Sequence, residues 1–363
     1  MKVLWDLRLF SYGYAARGVG RHAELMTRGY LRENRGDELL AWGERERAPE
    51  QLRNGPLRWI PYRPGNWKWD LLAVPLIIHR FRPDVFHYWV ALGPCYQIGL
   101  GALHGSRTVA TVHDAGVERW SDDDFLRERR RSRYWKCQKV LAGRLDGVAC
   151  VSRTTEQQLT DMLPHLCGKT RVIRLPMVQT NAASPPRPRE GYLLSLGGAP
   201  NKNLPRVLEA FRRLAASRPG LELVICGDTG DLDGNTGLPP RVRVEPMSRY
   251  SAHLRRASAF LFCSFHEGFG IPPLEAMAAG CPLVAGDIEP LHETCEGAAR
   301  FVDPFSADAI AAGIEEVLGD TEKYARLSRV GGRRYRERSA DSVEHLRRLY
   351  CDVGRCRNRR GTG

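Results

Sequence analysis

The feature that most constrains the fold is a rhythm that runs along the chain, stops once, and starts again. Short apolar, β-branched runs alternate with helix-period segments through the first half. Strands are predicted at Val3–Leu7, Glu38–Trp42, Arg58–Pro61, Asp84–Tyr88, Thr108–His113, Gly147–Ser152 and Arg171–Leu175. Helices fit between several of them, at Arg21–Glu33, Asp70–Phe81, Phe125–Arg144 and Thr155–Leu163. Such alternation predicts a parallel sheet with helices on both faces, because parallel neighbours need a crossover connection. The interruption is "AASPPRPREG", Ala182–Gly191, whose three prolines stiffen a connection and cannot continue a helix. Beyond it the rhythm resumes with the runs "YLLSLGG", "LELVICG", "RVRVEP", "AFLFCS", "PLVAGD" and "RFVDP". A helix is predicted at Leu204–Ser217, and a long helical tail from Ala307 to about Val353.

The fold class is therefore α/β, with two Rossmann-like domains. The predicted domains are residues 1–180 and 191–338, joined by a linker at 181–190. Residues 339–363 read as a helix returning toward the first domain, followed by a basic tail. A length of 363 residues suits two domains better than one core. No run of 18 apolar residues appears, and "MKVLWDLRLF" carries charge inside its apolar run without a cleavage pattern, so it reads as a first strand. The ten cysteines are scattered, with no CxxC and no zinc-finger spacing. Cys95, Cys150, Cys226, Cys263 and Cys281 sit in or beside apolar runs, as reduced thiols of a cytoplasmic protein do. The net charge of +13 favours acidic partners, but the charge is spread along the chain and no nucleic-acid motif accompanies it.

Open α/β sheets bind ligands outside the carboxyl ends of their strands, so two sheets facing a shared cleft would each contribute post-strand loops. Three groups fall at such ends: Glu267 after "AFLFCS", His113 at the end of "RTVATVHD", and the glycines of "GYAARGVGR" after the first strand. The densest is "SFHEGFGIPPLEAMAAG", Ser264–Gly280. Gly268 and Gly270 allow close approach of backbone to a ligand, and Pro272 and Pro273 preset a helix start. Backbone amides beside a positive helix end suit a diphosphate. Glu275, expected in the first helical turn, could accept from a ribose hydroxyl pair, and Glu267 from a sugar. The plainer reading is that Glu275 complements the helix dipole and Glu267 caps the turn.

The run "EGFGIPPLEAMAAG" resembles the E-x7-E signature of the retaining family 4 (GT4) glycosyltransferases, which have the GT-B fold. "GVGRHAELMTRGYL", "DVFHYWVALGP", "TVHD", "GVACVSRTTEQQL", "LSLGGAPNKNLPRVLEAF", "LVICG" and "FVDPFSADAIAAGIEEVL" follow that family's order and spacing, so the resemblance covers nearly the whole chain. It implies that Glu275 binds the nucleotide ribose, and that Glu267 with the backbone of Gly268, Phe269 and Gly270 holds the sugar and diphosphate. It implies that Lys202 neutralises the leaving diphosphate, that Gly18 and Gly20 let the first-domain loop approach the phosphates, and that His113 contacts the transferred sugar. The implied reaction moves a hexose from a nucleotide-diphosphate sugar to a hydroxyl of a glycan or glycolipid, with retained configuration, no cofactor and no fixed metal. Resemblance to mannosyltransferase-type members puts GDP-mannose first as donor and UDP-sugars second. One position departs from the family: many relatives have Arg-Lys-Asn where this chain has Asn201-Lys202-Asn203, which leaves Lys202 alone or paired with Arg206 one turn on.

Other segments invite rival readings. Asp122-x-Asp124 superficially matches a metal-binding DxD, but no hydrophobic strand precedes it, so it reads as an acidic helix cap. Gly18–Ala23 fits G-x-G-x-x-A, yet about ten residues separate it from its strand, so a NAD-dependent oxidoreductase explains little of the chain. The basic run Arg127–Lys139, with Tyr134 and Trp135, reads either as a solvated helix face or as a peripheral contact with anionic lipid at the inner membrane face. Trp67 or Trp69 could stack on an acceptor sugar or anchor a loop. A catalytically silent nucleotide-binding relative is the other alternative, although His113, Lys202, Glu267 and Glu275 are all present.

Overall fold

Strands buried on both faces cannot alternate apolar with polar residues, and the central strands of this protein do not. Phe86 and Tyr88 face one side of their strand and Val85 and His87 the other, and all four are buried. In a computed structural model, described for residues 1–11, 18–62, 67–90, 106–115, 140, 142–175, 190–229, 238–338 and 341–355, such strands build two parallel sheets. The chain divides into two compact units, Met1–Met177 with Ser339–Gly363, and Val178–Arg338.

The first unit holds a seven-stranded sheet. Its strands are β1 (Lys2–Asp6), β2 (Glu38–Gly43), β3 (Arg58–Pro61), β4 (Val85–Tyr88), β5 (Arg107–Val112), β6 (Gly147–Cys150) and β7 (Thr170–Val172). Their spatial order is β3-β2-β1-β4-β5-β6-β7, so the order reverses between β1 and β4. The second unit holds β8 (Glu190–Leu196), β9 (Glu222–Cys226), β10 (Val242–Glu245), β11 (Ala257–Phe262), β12 (Leu283–Gly286) and β13 (Ala299–Val302). The order there is β10-β9-β8-β11-β12-β13, with the reversal between β8 and β11. These reversal points are where open α/β sheets leave a crevice for ligands.

Helices cover the sheets through single apolar stripes. In Leu204–Ser217 the buried residues Leu204, Val207, Leu208, Phe211 and Leu214 recur at helical spacing. Ser152 and Ser306 cap the helices that follow them by accepting from the amides of Thr155 and Ala309. The helix Ser342–Arg355 belongs to the first unit, where Val343, Leu346, Leu349, Tyr350 and Val353 join Val3 and Trp5 in one core cluster.

The expected continuous helical tail is corrected to three helices, Ala307–Gly319, Thr321–Arg338 and Ser342–Arg355. The first break has a local cause: Asp320 leaves helical geometry and its carboxylate accepts from the Lys323 amide, starting a new helix. The linker expected at 181–190 is shortened, because its last residue, Glu190, opens β8. The rest of it, the basic run Arg127–Lys139, Asp122-x-Asp124 and the C-terminal basic tail beyond Arg355 lie outside the described residues, as do the side chains of Trp67 and Trp69.

Candidate active site

Two turns at the carboxyl edge of the second sheet carry the charged groups. After β8 the chain passes Gly197, where a Cβ would lie 2.0 Å from the Asp228 carbonyl oxygen, so no other residue fits. It then forms a short turn, Pro200–Lys202, ahead of the helix Leu204–Ser217. After β11 the neighbouring loop carries Glu267. Across the reversal point Lys202 Nζ donates to Glu267 Oε1 at 2.5 Å, with the side chains 19% and 12% exposed. The ammonium also lies 4.6 Å from the Phe262 ring centroid. The Lys202 side chain is thus held between one carboxylate and one ring face.

The flanking asparagines explain how this pair is held. Asn201, where many relatives carry arginine, donates its amide to the His266 carbonyl at 2.9 Å and to Glu267 Oε1 at 3.3 Å. Its own carbonyl accepts from the Phe265 amide. Asn201 therefore supports the carboxylate rather than adding a cation. Asn203 adopts a left-handed backbone, φ 60°, and is 1% exposed. Its side-chain amide donates to the carbonyls of Cys263 (2.9 Å) and Pro304 (2.6 Å), which ties the lysine turn to the ends of β11 and β13. Arg206 donates to Asn203 Oδ1 at 3.2 Å and lies 5.6 Å from the Phe305 ring centroid. From the sequence alone Asn201 reads only as a missing cation, and Asn203 has no role. The available signal was an asparagine between a turn and a helix, since asparagine tolerates the left-handed region better than most residues.

The loop from Glu267 leads into the helix Ile271–Ala278. Gly270 has φ 94°, and a Cβ there would meet Leu291 Cδ2 at 2.8 Å, so both conformation and space demand glycine. The Phe269 side chain is buried, and its carbonyl accepts from the Thr294 hydroxyl. Two expectations need correction. Glu275 is the fifth residue of this helix, one turn further in than predicted, so its charge does little for the helix end. The prolines at 272 and 273 have no N–H, so Ile271 is the one amide donor among the first three helical residues. Any anion site here therefore depends on the loop amides of Gly268–Ile271. Burial first, and then the charge of Glu275, push the Tyr250 hydroxyl well above its ordinary pKa, which places that carboxylate near Tyr250. The Tyr250 hydroxyl donates to the Pro272 carbonyl.

In the first unit the corresponding edge carries imidazole and indole rings, beside a largely buried Arg8–Asp6 ion pair at the end of β1. His113 follows β5, and its Nε2 lies 2.8 Å from the Trp89 carbonyl oxygen. An oxygen that can only accept fixes the hydrogen on Nε2 and leaves Nδ1 as the acceptor. Burial lowers the His113 pKa to about 4, against smaller opposing effects of that hydrogen bond and of Asp114. Deeper in the core, His87 bridges the Tyr350 hydroxyl and Thr111 Oγ1, and burial lowers its pKa to about 3. Gly18 and Gly20 differ from expectation: they form the first turn of the helix Gly18–Arg32 rather than the loop before it. Among the described residues no group of three or more His, Cys, Asp or Glu side chains could hold a metal ion. Among them, too, no helix is long and apolar enough to cross a membrane.

Residues 16–176 match the sequence model of "Glycosyltransferase Family 4", and residues 180–334 that of "Glycosyl transferases group 1". The chain belongs to the family 4 glycosyltransferases. The chain is similar to a glycogen synthase of Mycobacterium tuberculosis, 27% identical over 274 residues, which are 70% of this chain and 64% of that protein. It is also similar to the MMP alpha-(1->4)-mannosyltransferase of Mycolicibacterium hassiacum, 32% identical over 267 residues, 65% of this chain and 64% of that one. The matches thus span somewhat less than two thirds of these relatives' own length. The crystal structure of Anabaena HepE in complex with UDP-glucose superposes with a TM-score of 0.73 at 16% identity, covering 97% of this chain and 99% of that one. The two-unit architecture is GT-B.

Proposed function

We propose that this protein transfers a hexose, mannose in the first instance, from a nucleotide-diphosphate sugar to a hydroxyl of a glycan or glycolipid. The observation that carries this reading is the Lys202–Glu267 pair at the strand reversal point of the second sheet, backed by Asn201 and Asn203. Charge develops on the leaving diphosphate, and a positioned lysine with backbone amides is the economical answer to it. On donor binding, Lys202 exchanges its carboxylate partner for a phosphate oxygen, and Glu267 becomes free to accept from sugar hydroxyls. Glu275 receives the ribose hydroxyls, and Gly18 and Gly20 allow backbone to approach the phosphates. His113 offers Nδ1 as a neutral acceptor to a sugar hydroxyl.

A front-face route with retained configuration is part of this reading. The acceptor oxygen bonds to the anomeric carbon on the face from which the phosphate oxygen leaves. The acceptor's proton passes to that same phosphate oxygen, so charge and atoms balance without a bound metal. Mannosyltransferases recur among the relatives, including the Mycolicibacterium hassiacum enzyme, which supports GDP-mannose as first donor. HepE in complex with UDP-glucose keeps a UDP-sugar as the second. Work on a glycan or glycolipid from the cytoplasmic side, with peripheral contact to an anionic membrane, is part of the same reading.

Calorimetric titration with GDP and with UDP, beside the Glu275→Ala variant, tests it. Binding of either nucleotide that the variant loses supports the donor site, and the tighter nucleotide selects the donor. Failure of both to bind a folded sample overturns the reading in favour of a catalytically silent relative.

A further inference from the structure

The reversal point of the first sheet contains a second imidazole that the transfer reaction above leaves without a role. His22 is the fifth residue of the helix that follows β1, is 2% exposed, and has no hydrogen-bond partner for either ring nitrogen among the described residues. Its ring stands perpendicular to that of His113, with centroids 4.7 Å apart, and 6.1 Å from that of Trp89. A polar side chain buried without hydrogen bonds is retained at a cost, so its directed contacts are the place to look for its use. Among the described residues, those contacts of His22 are the rings of His113 and Trp89. The separation is at the short end of the range for aromatic pairs and suits a five-membered ring.

We propose that His22 is a positioning residue for His113. This rests on the reading of His113 as the group that meets the sugar. Two restraints then act on the His113 imidazole, and the Trp89 indole supports one of them by packing on His22. The Trp89 carbonyl accepts from Nε2–H and selects the tautomer, while the indole of the same residue packs beside His22. The perpendicular contact with His22 sets the plane in which the His113 ring lies. What remains is a single Nδ1 lone pair with a defined direction, held at the carboxyl ends of β1, β4 and β5. An imidazole free to turn over would offer Nδ1 and Nε2 in alternation. A misdirected acceptor costs rate more than it costs donor affinity, because orientation is spent in the transition state.

The test joins a two-bond hydrogen–nitrogen correlation spectrum of the ¹⁵N-labelled full chain to release of GDP from GDP-mannose, or of UDP from UDP-glucose if that nucleotide binds. In the wild type His113 is expected as a single Nε2–H tautomer. His22→Ala is expected to give a tautomer mixture and to lower kcat by about tenfold, with the donor KM unchanged within about threefold. His22→Phe, which restores a ring edge, is expected to recover the single tautomer and most of the rate. The proposal is overturned if His22→Ala leaves the His113 signals and kcat as they were, which makes His22 a core filler. It is equally overturned if kcat falls while the signals stay, since His22 then acts on the substrate itself. Should His22→Ala not fold, His22→Gln, which keeps polarity without a ring, is compared with His22→Phe: Gln matching or exceeding Phe defeats the proposal. If the wild type turns over neither donor, the transfer reading fails, and the spectrum alone still decides whether His22 positions His113.

Discussion

At the reversal point of the second sheet Lys202 and Glu267 form an ion pair, and two asparagines brace it. At the reversal point of the first sheet stand His113, Trp89 and His22, with burial lowering the pKa of both imidazoles. The same topological feature has thus been equipped in two ways. An edge that meets a diphosphate needs fixed charge, and the cost of burying it is reduced by pairing. On the proposed reading, the first edge meets a sugar hydroxyl through His113, and burial keeps that imidazole a neutral acceptor. The contrast teaches that the chemistry of a GT-B unit lies in what its post-strand turns carry rather than in the sheet itself.

The sharpest way to break the comparison is to remove the fixed charge. Lys202→Ala is expected to lower kcat/KM for the donor by about a thousandfold, about 4 kcal/mol of transition-state stabilisation. Lys202→Arg should retain part of it. A loss under about tenfold, measured as nucleotide release, would remove Lys202 from the diphosphate.

The brace comes next. Asn203→Ala gives up hydrogen bonds to two buried carbonyls and places alanine at φ 60°, for an expected cost of about 2–3 kcal/mol in urea unfolding. Asn203→Gly should recover the backbone part alone. If both variants are as stable as the wild type, the lysine turn is seated by something else.

Acid separates the two edges. His87 and His113 have folded pKa values of about 3 and about 4, against 6.5 for the unfolded group, and that of His22 is lowered as well. Below 6.5 the unfolded chain takes up protons that the folded first unit refuses. Their stability contribution is therefore complete above that pH and falls as pH drops, by about 1.4 kcal/mol per unit for each histidine. All eight tryptophans lie between Trp5 and Trp135, within the first unit, so tryptophan fluorescence reads that unit alone. Replacing His87 by Phe should flatten the fall by one histidine's share. A stability of the first unit that does not change between pH 6.5 and 4.5 would refute the neutral-ring account.

The smallest effect tests the odd position. Asn201→Arg adds a cation and removes a support of Glu267, so donor affinity should change by no more than about threefold while its salt dependence steepens. A gain of a hundredfold would mean that the missing cation had limited binding.

Much of the site was legible because its signals are local. Glycine at 270 answers a backbone demand, the paired prolines mark a helix start, and Lys202 stands on the turn after a strand. Glu275 was misplaced by one turn because helix boundaries depend on the geometry of the loop before them. The first turn containing Gly18 and Gly20 was read as loop for the same reason, since glycine disfavours helix by propensity and packing overrides it.

By itself, then, the sequence determined two parallel α/β units, their strands, and the charged residues at the strand ends, because periodicity and turn chemistry act over a few residues. Tertiary structure alone decided that Asn203 reaches Cys263 and Pro304, that Asn201 turns to Glu267, and that His22 meets His113 across two strands of the sheet. It also decided that Tyr350, at the far end of the chain, bonds Trp5 and His87 inside the first unit. Such partners lie from about 60 to more than 300 residues apart, and no local pattern encodes a hydrogen bond that exists only once the sheets have closed.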